Sequence, residues 1–249
     1  MKVPDLELIA AIRARLEREP CVNFHRSPVA LSFDHGDLVV EGEVEAVAAK
    51  KRTLEIAAEV VGAKVGGIID RLHVAPSQRM SDGEILDHLL RQLSEESALQ
   101  PCALTSKRGQ RRESFRKGLP KTPGQIEVSV VDGIVTLDGE VTSLAQKRLC
   151  EGLAWWVPGT RDVVNGLGVN PPEEDSDDDI TDALKMVLEK DPLLKGLKIG
   201  VSTEHRVVTL TGTVQAEEQR RAAEEDGWCL FGVDRVVSRL QVRPRARAR

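Results

Sequence analysis

Residues 126–141 read IEVSVVDGIVTLDGEV, and residues 157–169 read VPGTRDVVNGLGV. Apolar residues alternating on either side of Asp132-Gly133 predict two antiparallel strands joined by a tight turn, the second passing through Gly139. The segment between the two stretches has the spacing of an amphipathic helix, and Gly159 then precedes a closing strand. The same pattern occurs twice more. Gly42, Gly139 and Gly212 each stand twenty positions before a second glycine, Gly62, Gly159 or Gly232. Four before, two before and two after the first glycine lie Leu38, Val40 and Val44, then Val135, Leu137 and Val141, then Val208, Leu210 and Val214. A strand has a side-chain period of two, so each aliphatic trio shares one face.

Working outward, each unit gains a first helix. Leu8, Ile9, Ile12 and Leu16 follow Asp5; Ile85, Leu86, Leu89, Leu90 and Leu93 follow Ser81; and Ile180, Leu184, Val187 and Leu188 follow an acidic run. The strand pairs are Val29 to Phe33 with Leu38 to Val44, Ile126 to Val131 with Ile134 to Val141, and Ile199 to Thr203 with Val207 to Val214. Their turns fall at Asp34 to Asp37, Asp132-Gly133 and Glu204-His205. The second helices span about residues 46–61, 143–157 and 216–230, and the last strands 68–74, 162–169 and 235–242. The expected fold class is α+β: three tandem αββαβ domains, each with two helices packed on a three-stranded mixed sheet. The boundaries are 1–76 for the first repeat, 80–170 for the second with a basic insert at 105–124, 171–179 for an acidic linker, 180–243 for the third repeat and 244–249 for a basic tail. Gly42, Gly139 and Gly212 mark close packing of the first helix across the sheet or close approach of a ligand, with packing preferred. Gly62, Gly159 and Gly232 suit helix C-termini, where a positive φ is needed.

The order αββαβ, the elements VEGEV, LDGEV and LTGTV, and the closing segments GTRDVVNGLGV and GVDRVVSRLQV resemble the BON domain family over nearly the whole chain. The resemblance implies non-catalytic modules of envelope or stress physiology that bind phospholipid membranes or other ligands. The chain departs from that pattern in three places. The first repeat has two extra residues between Gly62 and Val74, the second carries about 22 more residues than the third before its anchor glycine, and Cys21 follows Glu-Pro rather than the small apolar residues of a lipobox.

Composition narrows the function. The 249 residues include no tyrosine, four phenylalanines and three tryptophans, too few for rows of base-stacking aromatics. The charged opening of the chain and the absence of an 18-residue apolar run predict a cytoplasmic protein, free or peripheral to the inner membrane. Cys21, Cys102, Cys150 and Cys229 are widely separated and form no CxxC, which points to reduced thiols rather than metal ligands. The five histidines fall in no nucleophile motif, Gly62 to Gly67 lacks a phosphate-loop ending, and the run PPEEDSDDD lacks the ligand pattern of a calcium loop. No catalytic residue, no metal and no cofactor is therefore expected.

One segment resists explanation by folding. Residues 105–124 hold seven basic residues against one Glu and read as a loop that meets a polyanion. The candidate contacts are Lys107, Arg108, Arg111, Arg112, Arg116, Lys117 and Lys121, with Phe115 entering a lipid interface. An anionic membrane is the first partner, a protein scaffold or self-association the second, and nucleic acid the third. The competing reading is a solvated loop that answers the chain's own acids.

Overall fold

A computed structural model of the protein describes residues 3–23, 26–119 and 124–243. Lys121 and the tail 244–249 lie outside the described residues. The chain divides into two compact units, residues 1–75 and 76–249.

The first unit is one repeat. Helix α1 (Val3–Leu16) precedes β1 (Ala30–Asp34) and β2 (Asp37–Val44), and α2 (Val47–Val61) crosses to β3 (Ile68–Val74). The sheet order is β1-β2-β3, antiparallel then parallel. A parallel return needs a helix-length crossover, which α2 supplies.

The second unit holds the other two repeats. Its middle repeat comprises α3 (Asp82–Glu95), β4 (Ala103–Arg108), β5 (Arg111–Arg116), β6 (Gln125–Val131), β7 (Ile134–Val141), α4 (Leu144–Trp155), β8 (Asp162–Asn165) and β9 (Gly168–Val169). The last repeat comprises α5 (Asp177–Lys190), β10 (Ile199–Glu204), β11 (Val207–Val214), α6 (Glu217–Trp228) and β12 (Arg235–Val242). All nine aliphatic residues flanking the anchor glycines are at most 1% exposed, so the shared face is the core face in every repeat. Among the described residues no helix is long and apolar enough to cross a membrane.

Several local features differ from expectation. The basic insert is not a loop. Its residues 105–116 belong to the β4–β5 hairpin, which turns at Gly109 and extends the middle sheet to the order β5-β4-β6-β7-β8, with β9 also paired to β7. Leu104 and Ser106 alternate toward the core while Thr105 and Lys107 do not, so the segment has a strand's period beneath its charge. The closing strand of this repeat is broken at Gly166 and Leu167, where Leu167 turns into the core at 1% exposure.

The third hairpin turn is His205-Arg206, one residue later than expected. Both residues have positive φ, 51° and 61°, although neither is glycine. The Asp177 carboxylate accepts hydrogen bonds from both backbone N–H groups at 2.7 and 2.9 Å, as Asp82 does for Asp132 and Gly133. Those donors hold the Asp177 carboxyl below its ordinary pKa, led by the Arg206 N–H.

The anchor glycines are structural, but the neighbour that requires them is a strand rather than the first helix. Gly42, Gly139 and Gly212 have φ of 147°, 119° and 127°. A Cβ at these positions would press on the carbonyl oxygen of Pro28, Gln125 or Lys198, at the entry to the paired strand. Of the second glycines, Gly62 and Gly232 have positive φ. Gly159 does not; its want of a side chain makes room for Met80 and Ile85.

Candidate functional site

Once folded, the basic hairpin is partly neutralised. Arg112 and Lys107 both reach the Glu127 carboxylate, at 2.6 and 3.6 Å, because β5, β4 and β6 lie side by side. Arg108 pairs with Asp87 of α3 at 2.7 Å, and Arg111 with its neighbour Glu113 at 2.7 Å. Arg116 has a structural task. A register shift at Leu104/Thr105 turns its guanidinium onto the carbonyl oxygens of Ser94, Leu99 and Cys102, so it closes the turn after α3. Lys117 is exposed, and Phe115 and Leu119 stand half in solvent at 50% and 56%. The hairpin thus presents two apolar side chains and a lysine beside arginines whose ion pairs are mostly solvent-exposed.

A second constellation was not legible in the sequence. The middle and last repeats share one hydrophobic core, because α4 packs against α5. Gly152 of α4 lies where a Cβ would be 3.7 Å from Val187, which lets the helices approach closely. Arg148, one turn earlier, is fully buried. Its Nε donates to the Phe231 carbonyl oxygen at 2.9 Å, its Nη2 binds the Asp175 carboxylate, and its guanidinium carbon lies 5.9 Å from the Phe231 ring centroid. At one side of the seam Lys190 pairs with Glu96 at 2.7 Å. At another the Trp156 indole N–H donates to Asp226 Oδ1 at 2.8 Å.

The acidic segment 171–179 accordingly does more than link. The Glu173 carboxylate accepts the Leu144 N–H, Asp175 clamps Arg148, and Ser176 and Asp179 form a capping box at the start of α5. The Asp–Asp–Asp run is the first turn of a helix, whose dipole favours acids there.

Asp226 is the seam's unusual group. It is 3% exposed, and its Oδ2 has no hydrogen-bond partner. Burial raises its pKa to about 7, the Trp156 hydrogen bond opposes the rise, and Asp191 and Glu225 add to it. The same physics acts on three of the thiols. Burial raises Cys150 and Cys102, and desolvation with the adjacent Glu19 carboxylate raises Cys21 to about 11. Among the described residues no group of three or more His, Cys, Asp or Glu side chains could hold a metal ion.

The signal for the seam was a dibasic pair that recurs eight and nine positions after each anchor glycine: Lys50-Lys51, Lys147-Arg148 and Arg220-Arg221. Its threefold recurrence marks a helix position, but the partner of Arg148 comes from another repeat and has no local trace.

The family model described as "BON domain" matches residues 4–76, 108–171 and 176–244. No curated protein matches the sequence. Among solved structures, the chain is similar to the C-terminal domain of CdsD, the structural protein of the type III secretion system of Chlamydia trachomatis. Identity is 14%, coverage is 98% of this chain and 100% of that one, and the TM-score is 0.24. A second structure of CdsD gives 15% identity, coverage of 96% and 93%, and a TM-score of 0.24. Nothing about function or arrangement follows from scores that low.

Proposed function

Because the chain belongs to the BON domain family, we propose that it is a non-catalytic binding protein of envelope or stress physiology, whose middle repeat meets an anionic phospholipid surface through the β4–β5 hairpin. The observation that carries this reading is the exposure of Phe115 on the β4–β5 hairpin and of Lys117 and Leu119 just after it; among the described residues the other two repeats have no such hairpin. Exposed ion pairs are worth about 0–1 kcal/mol each, so lipid phosphates can replace the carboxylates that now hold Arg108, Arg111 and Arg112. Each base contributes roughly 1 kcal/mol near an anionic surface, and Phe115 adds an apolar contact. The sum supports weak, reversible, salt-sensitive association. In this reading the protein works in the cytoplasm, at the membrane surface.

Co-sedimentation with vesicles of phosphatidylcholine, alone or mixed with phosphatidylglycerol, tests it at low and near-physiological salt. Binding to the mixed vesicles only, weakened by salt and lost in a Phe115→Ser/Lys117→Glu variant, is the expected result. Equal binding of that variant and the parent protein would remove the hairpin from the mechanism.

A scaffold is the second reading, favoured by the seam itself, since two repeats of this chain already bury core residues against each other. Concentration-dependent association in sedimentation velocity, with no binding to vesicles, would put that reading first. Nucleic acid ranks third, since four phenylalanines, three tryptophans and no tyrosine supply no rows of base-stacking aromatics.

A further inference from the structure

The three repeats treat one corner differently. It lies where the second helix ends and meets the start of the first helix and the hairpin turn. In the middle repeat it is filled from within the repeat: Gly159 packs on Met80 and Ile85, and the Pro158 carbonyl oxygen accepts the Gln78 N–H at 3.1 Å. In the last repeat it is filled by the neighbouring repeat, because Gly232 lies against Arg148 and Asp175 as well as Ile180. In the first repeat a Cβ at Gly62 would meet nothing within 4 Å among the described residues.

The burial of equivalent residues agrees. Counting from the first-turn aspartates Asp5, Asp82 and Asp177, Leu8 corresponds to Ile85 and Ile180; counting back from the corner glycine, Val60 corresponds to Val157 and Leu230. The four counterparts are at most 1% exposed, whereas Leu8 and Val60 are only partly buried. The cause is chain length. From corner glycine to the equivalent strand residue the path is Gly159 to Val163 and Gly232 to Val236, but Gly62 to Ile68, two residues longer. The extra length is taken up by a 3-10 turn at Gly62–Lys64. The result is a groove of ≈ 840 Å³ in the first unit. Leu8, Ala11, Phe33, Val60 and Val65 supply its apolar lining, while Asp5 and Glu7 of α1 and Lys64 of the turn supply its charged lining.

We propose that this groove is a docking site for a basic amphipathic helix of a protein partner, one that presents an arginine or lysine flanked by apolar residues. Two observations argue for that occupant. The equivalent corner of the last repeat is occupied by such a helix, α4, whose Arg148 enters beside Gly232 with an aspartate as its counter-ion. The groove of the first repeat likewise joins an apolar lining to an exposed carboxylate, Glu7, although the position equivalent to Asp175 is Val3. Its size is in the range that encloses a few side chains, about 300–1,000 Å³. The inference does not depend on the lipid reading, which concerns the other unit.

The probe is a labelled peptide with the sequence of residues 143–157, the segment that fills the equivalent corner, titrated against the full chain and followed by fluorescence anisotropy. Saturable binding is expected, weakened about tenfold or more by Glu7→Lys in the protein, which reverses a surface charge. Leu8→Glu should weaken it further, and the exposed Glu7 position keeps the test decisive if that variant unfolds. A peptide carrying glutamate in place of Arg148 should not bind. Absence of binding at millimolar peptide, or equal binding by the parent protein and Glu7→Lys, would overturn the proposal. Self-association of the chain abolished by Glu7→Lys would place a second copy in the groove and overturn the assignment to a separate partner.

Discussion

The second helices of the middle and last repeats, α4 and α6, start from the same pattern and present opposite surfaces. Where α4 and the residue after it place Leu144, Arg148, Gly152 and Trp156, α6 and the residue after it place Glu217, Arg221, Glu225 and Cys229 at the equivalent positions. Gly152 admits the side chains of Val187 and Leu230; a glutamate there would hold the helices apart. One helix is shaped to receive another repeat, and the other carries charge at the same positions. The comparison also shows how a fold made of identical parts can bury a full arginine: Arg148 is retained because Asp175, the Phe231 carbonyl and the Phe231 ring meet it together.

The largest expected effect comes from breaking that meeting point. Arg148→Ala leaves Asp175 without its buried partner and should cost the unit of residues 76–249 about 3 to 5 kcal/mol. Hydrogen exchange resolved by segment is the measurement. Faster exchange in α4, α5 and α6 with residues 1–75 unchanged is expected, and unaltered protection in α5 would mean that the seam does not depend on Arg148.

Next in size is the pH response of Asp226. Its carboxyl is raised in the folded state, so between about pH 4 and about pH 7 the folded protein holds a proton that the unfolded chain has lost. The contribution of Asp226 to the stability of the second unit should therefore be greatest below this window and fall as the pH rises through it. The full span corresponds to no more than about 4 kcal/mol, an upper bound for a buried carboxyl. Asp226→Asn keeps an acceptor for Trp156 and carries no charge. Urea midpoints for this variant should be flatter from pH 5 to 8 and higher than the parent's at pH 8; parallel curves would exclude Asp226 as the source.

The smallest effect sharpens the comparison at Gly152. An added methyl would meet Val187 and Leu230 at 3.7 to 4.0 Å, which is ordinary contact, and alanine is the better helix former. Gly152→Ala should raise stability by about 0.5 to 1 kcal/mol, measured by urea unfolding, whereas Gly152→Glu, the residue that α6 carries, should lower it.

Much of this was legible in residue order. The aliphatic trios about Gly42, Gly139 and Gly212 fix strand faces through a period of two, and Asp132-Gly133 fixes a turn, because those rules act over a few residues. The turn at His205-Arg206 was displaced by one position in the sequence reading, since the carboxylate that stabilises it, Asp177, is 28 positions away. The basic insert misled for a related reason. Its charges suggested solvent, whereas Leu104 and Ser106 joined β4 to the flank of β6, and Glu127 and Asp87 were waiting across the sheet and on α3.

Sequence alone determined the three repeats, the αββαβ order common to them and the residues of each core face, because hydrophobic period and turn chemistry are local. Only the tertiary structure decided that two of the units share a core, that Arg148 and Asp226 lie in the seam between them, and that the corner of the first unit stands open. Those outcomes depend on which distant surfaces have complementary shape and charge, and on two extra residues whose effect is felt at Leu8, more than fifty positions before them.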